Sequence, residues 1–453
     1  MGYYLQQHLL LKEATGKFMI IRILILLTTL TFSTHSLAIK PMQLISDAEI
    51  ETTLTNFISP LVKAANLNPN NIRIYIVANP EINAFVANGT LMFINSGLIV
   101  KFADDPNILY GVMAHEIAHI KAGHLIKLRS EIYNMSAMAM GGTLLGLASA
   151  LAGAPDAGFF IGAAANQAAF SNVLSFSREN ETEADKIAID LLYKTQNNGQ
   201  GLIKLFQYLS QKERLLNLDP YSVTHPLSNE RIASVKNSIK AKLNNFGDNI
   251  PNSTRSKFKR IANKLDAFLL PPEQVIKKSD KYSKAIGNFR YGNLNKAISL
   301  IDQVITEESD NSYLLELKGQ FYFENGDFNQ ANNFYRQALK RLPNEPLIKL
   351  ELAISEVNQA RDYRDSGILN SAISLLKQVS QQQEDNPMVY YMLSRGYGKL
   401  NDQLHAILYL AEYYYSLGAY EKAKILAQKV IKMAKENSKE FIRANDILLS
   451  GTQ

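Results

Sequence analysis

His115-Glu116-Ile117-Ala118-His119 sits in an apolar run that opens after Asp104-Asp105-Pro106, and its reading decides the first half of the chain. Acidic residues followed by Pro mark a helix start, and the run predicts helix from there to about Arg129. At about 100° per residue the two histidines stand about 40° apart and one turn displaced, so both imidazoles can reach one ion. Glu116 lies within about 60° of His119 on that side, close to the ion without having to ligate it. That is the place for the general base of a hydrolase, and the pattern points to zinc. His124 comes nine residues after His115, about half a turn round a straight helix. It is expected on the opposite face, in a structural role without metal contact.

A hydrolytic zinc site takes three protein ligands and keeps one position open. The best third ligand is Glu181, in Ser177-Arg178-Glu179-Asn180-Glu181-Thr182-Glu183-Ala184-Asp185, a carboxylate-rich stretch expected to open a second helix. Asp185 falls at i+4 on the same face, where it could accept the free N–H of a ligating imidazole and fix its tautomer. Glu183 is expected in solvent, and Glu179 reads as a cap or a competing ligand. His225, in Thr224-His225-Pro226, belongs to a loop, because the residue before Pro is kept out of the helical region. Carried back to the ion it would fill the open position and give a latent enzyme. Alternatively it donates a hydrogen bond in the transition state, or simply caps the loop. Arg231 is a second candidate for stabilising the oxyanion.

Upstream of the zinc helix, Ile72 to Ala78, Asn83 to Ala87 and Thr90 to Asn95 read as strands, with Asn88-Gly89 as a two-residue type I′ hairpin turn. A free edge there could pair with an extended substrate backbone and make cleavage tolerant of sequence; the other reading is an internal strand. Downstream, the uncharged stretches Asn134 to Pro155 and Ala157 to Ser177 are long enough for a membrane hairpin. Their glycines and small residues favour a lid or a membrane-surface contact across 134–177 instead.

Residues 1–38 do not read as part of a fold. Lys17 and Arg22 precede an apolar run from Ile23 that ends in Ser36-Leu37-Ala38, the pattern of an export signal cleaved after Ala38. The run is short for a spanning anchor, and Met19 competes with Met1 as the start. With no Cys among 453 residues, disulfides, thiolate metal sites and cysteine nucleophiles are excluded. The 48 basic against 42 acidic residues leave +6, too dilute for a nucleic-acid partner.

Beyond the breaks at Phe246 to Thr254 and Leu270-Pro271-Pro272, with a bridging helix between them, the pattern is helical and repeats. Gly319, Tyr322, Ala331, Tyr335, Ala338 and Pro343 fall at the offsets of a 34-residue tetratricopeptide (TPR) unit. Ala297 lies 34 before Ala331 and Ala406 lies 34 after Ala372, whereas Ala331 to Ala372 is 41, so an insertion is expected near Asn358 to Arg364. Roughly five units are expected, stacked into a curved solenoid. Tyr390, Tyr391, Tyr409 and Tyr413 to Tyr415 read mainly as inter-repeat core, with some excess lining a groove.

His115-Glu-Ile-Ala-His-Ile-Lys-Ala-Gly-His124 followed by Glu181-x-x-Ala-Asp185 resembles the gluzincin metallopeptidases of the HtpX and CAAX-prenyl-protease superfamily, peptidase family M-48. With an export signal and a C-terminal TPR region, the chain is similar to the BepA-like periplasmic proteases over nearly its whole mature length. The resemblance implies His115, His119 and Glu181 as zinc ligands, one ion per chain, and Glu116 as catalytic base. It also implies quality control or assembly of outer-membrane proteins in the periplasm. The expected architecture is an α+β zincin-type metallopeptidase domain at 39–265 and an all-α TPR solenoid at 266–453. The expected activity is that of a zinc metalloendopeptidase. Misfolded or stalled envelope proteins would be its substrates, and the outer-membrane assembly machinery would be reached through the TPR region. The alternative is a TPR chaperone or adaptor with latent proteolysis.

Overall fold

The computed structural model describes residues 43–87, 89–124, 167–214, 225–243, 245–383 and 386–450. The expected export signal, most of the uncharged stretch 134–177 and Asn88 lie outside these residues. The chain forms two compact units, Met1–Leu269 and Leu270–Gln453.

The first unit opens with β1 (Leu44–Ile45) and α1 (Ala48–Ala64). Asp47 caps α1: its carboxylate accepts from the Ile50 amide at 3.0 Å, while Glu51 reaches back to the Asp47 amide at 3.2 Å. β2 (Arg73–Val77), β3 (Ala84–Ala87) and β4 (Leu91–Asn95) complete a four-stranded sheet of order β1-β2-β4-β3. Ala87 pairs with Leu91, so the β3–β4 connection is three residues long, one more than expected, with Gly89 at φ +80°. Three-residue hairpin loops carry a left-handed residue for the same reason two-residue ones do, to match the strand twist. β3 lies at the edge of the sheet.

Two short elements lead into the site: α2 (Ser96–Lys101) and α3 (Pro106–Ala122). Every residue of α3 from Pro106 to Ala118 is buried, which is what a helix apolar on all sides demands. The helix stops at Ala122, earlier than the apolar run suggests, because Gly123 takes the left-handed conformation (φ +67°, ψ +29°) and its N–H caps the carbonyls of His119 and Ile120. α4 (Gln167–Lys194) and α5 (Gln200–Arg214) pack directly against it, α6 (Asn229–Leu243) packs on α4 and α5, and α7 (Asn252–Leu269) packs on α1 and α2. α5 crosses α3 closely at Gly201, where a Cβ would lie 1.9 Å from the Asn107 carbonyl oxygen. α7 is the bridging helix, and it belongs to the first core: Phe258, Ile261 and Leu265 are buried there, and the Phe258 ring lies 4.4 Å from that of Phe57. The expected boundary at 265/266 falls inside it. Lys264 of α7, wholly buried, meets Asp47 at 2.7 Å and Glu49 at 3.4 Å.

The second unit is a succession of antiparallel helix pairs: α8 (Lys281–Arg290) with α9 (Leu294–Glu307), α10 (Ser312–Glu324) with α11 (Phe328–Arg341), and α12 (Pro346–Gln359) with α13 (Ser366–Gln382). α14 (Pro387–Lys399) with α15 (Gln403–Ser416) and α16 (Tyr420–Met433) with α17 (Lys439–Ser450) complete five pairs among the described residues. The repeat positions do what TPR packing requires. Ala297, Ala331, Ala338, Ala372 and Ala423 are fully buried, and the Tyr335 ring fills the space over Gly319, where a Cβ would lie 2.9 Å from it. The extra residues between α12 and α13 form a short turn of 3-10 helix at Tyr363–Asp365. Tyr390 and Tyr409 are buried in one apolar cluster with Tyr391 and Tyr413 packed against it, and Tyr414 and Tyr415 pack against the next. Among the described residues no helix is long and apolar enough to cross a membrane.

Candidate metal centre

Three elements converge on one point. α3 brings His115 and His119, α4 brings Glu181, and the segment before α6 brings His225; all four donor atoms lie within 4.8 Å of one another. His115 Nε2 stands 3.1 Å from Glu181 Oε2, 3.1 Å from His119 Nε2 and 3.3 Å from His225 Nδ1. Glu181 Oε1 is 3.2 Å from His119 Nε2 and 3.1 Å from His225 Nδ1. Donors held about 2.0–2.1 Å from a tetrahedral ion sit about 3.3–3.4 Å apart, so this set of nitrogens and oxygens is spaced as a zinc ion needs it. The residues present therefore fit the metal. Glu181 lies inside α4 and does not open a helix as expected; Glu179, one of the two residues weighed as a ligand, is exposed and outside the cluster.

Charge supports the same reading. Burial alone would push the Glu181 carboxyl up, but the imidazoles of His225, His119 and His115 outweigh it and hold it well below the usual carboxylate range. Burial likewise opposes ionisation of Asp185, and His115 and Arg231 override it. Burial pushes His119 down to about 3 against the pull of Glu181. It acts the same way on His115, yet Glu181 and Asp185 raise that imidazole to about 9. Cation binding at this cluster would then displace a proton from His115.

Glu116 is 1% exposed and stands 3.4 Å from His225 Nε2. Burial pushes its carboxyl up, beyond what His225 and His115 take back. A carboxyl raised from its ordinary value beside a metal cluster is better suited to accepting a proton than an exposed one.

The outer contacts fix the inner ones. Asp185 Oδ1 lies 3.1 Å from His115 Nδ1, the partner expected for it. Arg231 is wholly engaged. Its Nε and Nη2 grip Asp185 at 2.6 and 3.0 Å, and Nη1 meets Glu181 Oε2 at 2.9 Å and donates to the Pro226 carbonyl at 3.0 Å. The guanidinium rests over the Phe206 ring of α5, 5.1 Å from its centroid. Arg231 thus ties α6, α4 and the His225 segment together.

His124 is not on the far side of the zinc helix. Gly123 ends that helix, and the turn folds His124 back, so that its Nδ1 lies 2.9 Å from His119 Nδ1. Its Nε2 lies 3.2 Å from Glu183 Oε2, so the Glu183 carboxylate, expected in open solvent, has a partner. The straight-helix assumption failed at Gly123, a residue type that commonly ends helices and was the available signal.

The first unit therefore has the architecture of a zincin-type metallopeptidase, and the second that of a TPR solenoid. Residues 48–239, within the first unit, match the model of Peptidase family M48. The chain is 24% identical over 364 residues to the beta-barrel assembly-enhancing protease of Yersinia pestis, covering 76% of this chain and 72% of the relative. It is 22% identical over 419 residues to the protein of that name from Escherichia coli, covering 88% and 82%. A thermophilic TPR protein from Thermus thermophilus aligns with 37% of this chain and 97% of its own at 20% identity and a TM-score of 0.25.

Proposed function

We propose that this chain is a zinc endopeptidase of the cell envelope, exported to the periplasm, that acts on misfolded or stalled proteins during outer-membrane protein assembly. The observation that carries the proposal is the spacing of His115, His119 and Glu181 with Glu116 buried beside them. The relatives named for beta-barrel assembly support the cellular setting. When bound, zinc would polarise water and the scissile carbonyl. Glu116 takes the proton from the attacking water and returns it to the leaving amine. Arg231, with its N–H groups spent on Asp185 and Glu181, acts as a positioning group and not as an oxyanion donor. β3, at the sheet edge, is the strand on which an extended substrate would lie, and the helix pairs of the second unit would recruit substrate or assembly partners.

His225 supports a further point within this reading. A fourth protein donor at 3.1–3.3 Å from Glu181 and His115 occupies the position a reacting water needs, so the resting form is latent. This latent form is where the adaptor reading draws its support.

The test is Glu116→Gln. It should keep one zinc per chain and lose hydrolysis, whereas His115→Ala, His119→Ala or Glu181→Ala should each weaken zinc sharply. Full zinc occupancy in Glu181→Ala would remove the ligand assignment. A Glu116→Gln chain that still rescues a deletion strain would favour the adaptor. His225→Ala should raise basal proteolysis.

A further inference from the structure

Between Arg231 and Leu265 the chain has nine basic residues and one acidic, a balance of +8, while the rest of the chain carries −2. The whole-chain figure of +6 therefore conceals a local concentration. Its members divide into two kinds. All three arginines and one lysine are engaged by carboxylates: Arg231 by Asp185 and Glu181, Arg255 by Asp248, Arg260 by Glu49 at 3.6 Å and Lys264 by Asp47 at 2.7 Å. Lys259 stands 3.6 Å from the exposed Asp104, a surface pair that contributes little. Lys236, Lys240, Lys242 and Lys257 are exposed and meet no carboxylate among the described residues. We propose that these four lysines form a docking surface for an anionic phospholipid membrane.

They belong to one end of the first unit. The last turn of α6 packs on the connection between α4 and α5, where a Cβ on Gly199 would lie 2.8 Å from the Leu243 side chain and 3.2 Å from that of Ile239. The segment that follows α6 continues over the same connection, with the Phe246 ring 5.5 Å from that of Tyr193 and Asn249 Nδ2 donating to the Gln196 carbonyl at 2.5 Å. Arg255 grips Asp248 and so ties the start of α7 to that segment. Lys240 and Lys242 lie in the last turn of α6, Lys236 one turn earlier, and Lys257 in the second turn of α7. Helix dipoles explain only part of this. Cations suit the C-terminus of α6, but α7 has no acidic residue in its first turn and opens with Arg255, Lys257 and Lys259, the reverse of what a helix N-terminus favours. An anion outside the chain supplies the missing partner.

The residue types indicate which anion. Recognition of one phosphate or carboxylate in a fixed geometry draws on the planar fork of arginine, and every arginine of this stretch is already engaged. The cations left over are lysines, hydrated point charges on flexible stems, which suit a field of charges without fixed positions. A bilayer of anionic headgroups is such a field, and each lysine near it adds about 5-fold in affinity. At the same end stands Tyr193, 52% exposed, an aromatic ring with a polar tip of the kind that settles at headgroup level. Nucleic acid carries the same sign of charge, and its exclusion rests on the export proposed above.

Sedimentation of the full chain with vesicles tests the proposal. Vesicles of phosphatidylcholine alone are compared with equal mixtures of phosphatidylcholine and phosphatidylglycerol at low and high salt, and zinc content is measured on every variant as a check of the fold. Wild type should bind the mixed vesicles more tightly than the neutral ones and lose that difference in high salt. Each of Lys236→Gln, Lys240→Gln, Lys242→Gln and Lys257→Gln should weaken binding to mixed vesicles about 5-fold, and Lys240→Gln with Lys257→Gln about 25-fold. Lys429→Gln with Lys432→Gln, exposed on α16, should leave it unchanged. A chain with all four substitutions that still binds mixed vesicles like wild type would overturn the proposal and assign the binding to apolar segments elsewhere. An equal loss in the α16 variant would reduce the effect to net charge and overturn it too. Polyglutamate or duplex DNA that holds the chain as tightly as mixed vesicles at the same salt, and releases the same variants, would make this a general polyanion surface and overturn the lipid assignment. None of these outcomes touches zinc binding or the Glu116→Gln result, so failure here is distinct from failure of the peptidase reading.

Discussion

Gly201→Ala tests whether the crossing of α5 over α3 places the metal site. A Cβ at 201 lies 1.9 Å from the Asn107 carbonyl oxygen, 2.2 Å from its carbon and 2.6 Å from the Ile108 amide nitrogen. Carbon and oxygen approach to about 3.3 Å at the closest, so the helices must part by roughly 1.5 Å. Both sides of the clash are backbone, and no side-chain rotation relieves it. The crossing is as tight from the other side, where a Cβ on Gly111 would lie 2.8 Å from the Leu202 amide nitrogen. Overpacking of this kind costs about 1–3 kcal/mol and sometimes more, and with rigid neighbours the upper end applies. His115 lies eight residues beyond Asn107 on the same helix, about 12 Å along its axis. Such a site tolerates errors of about 0.5 Å, and α5 also carries Phe206 beneath Arg231. We expect at least a 10-fold loss of zinc affinity, together with a fall of about 3 kcal/mol in the stability of the first unit. Urea unfolding and chelator competition on the purified variant read both. Stability within about 0.5 kcal/mol of wild type with zinc affinity intact would refute the role given to this contact.

Three further outcomes are expected. Arg231→Lys should keep the fold by circular dichroism yet lower zinc affinity by about 10- to 100-fold, because one ammonium cannot replace the fork that holds Asp185 and Glu181 together. Lys264→Met should cost the first unit about 3–5 kcal/mol by taking the buried ammonium from Asp47, while Glu49 keeps Arg260 at 3.6 Å, and adding Asp47→Asn should recover part of it; equal stability of single and double variants would contradict this. Glu324, on α10, is raised to about 7 by burial, against a smaller lowering from the Gln320 hydrogen bond. Its neutral form is the one that suits the fold, so this stability is fully present below about 4.5 and is lost as pH rises through about 7. The loss is on the order of 3 kcal/mol, and Glu324→Gln should abolish it, as read by hydrogen exchange of α10 at pH 5 and pH 8.

The parts of the chain read most directly from sequence are those governed by short spacings. His115, Glu116 and His119 are placed by one turn of helix, and Gly319, Ala331, Tyr335 and Ala338 by a 34-residue period. Asp185 was legible for the same reason, an i+4 step from Glu181. What failed depended on where an element ends or what it packs against. The apolar pattern runs on past Gly123, so the stop had to be inferred from one glycine, and the position of His124 went with it. α7 has a clear apolar stripe in Phe258, Ile261 and Leu265, but a stripe does not say which core it joins. Arg231 reads from sequence as a candidate for stabilising an oxyanion, and only tertiary structure shows its contacts with Asp185, Glu181 and the Pro226 carbonyl. The Gly201 contact has no local signature, since its requirement comes from a helix about ninety residues away.

Glu181, Glu183 and Asp185 occupy alternate positions of one helix, and successive residues of a helix differ by about 100° in direction. Inserting or deleting a single residue between Asp185 and the buried Ala188 would rotate all three at once relative to the part of α4 held in the core, taking Glu181 from the donor cluster and the Asp185 carboxylate from His115. Relatives of this chain that differ in length should therefore place the difference in connections such as Thr195 to Gly199, and the span from Glu181 to Leu192 should stay constant to the residue.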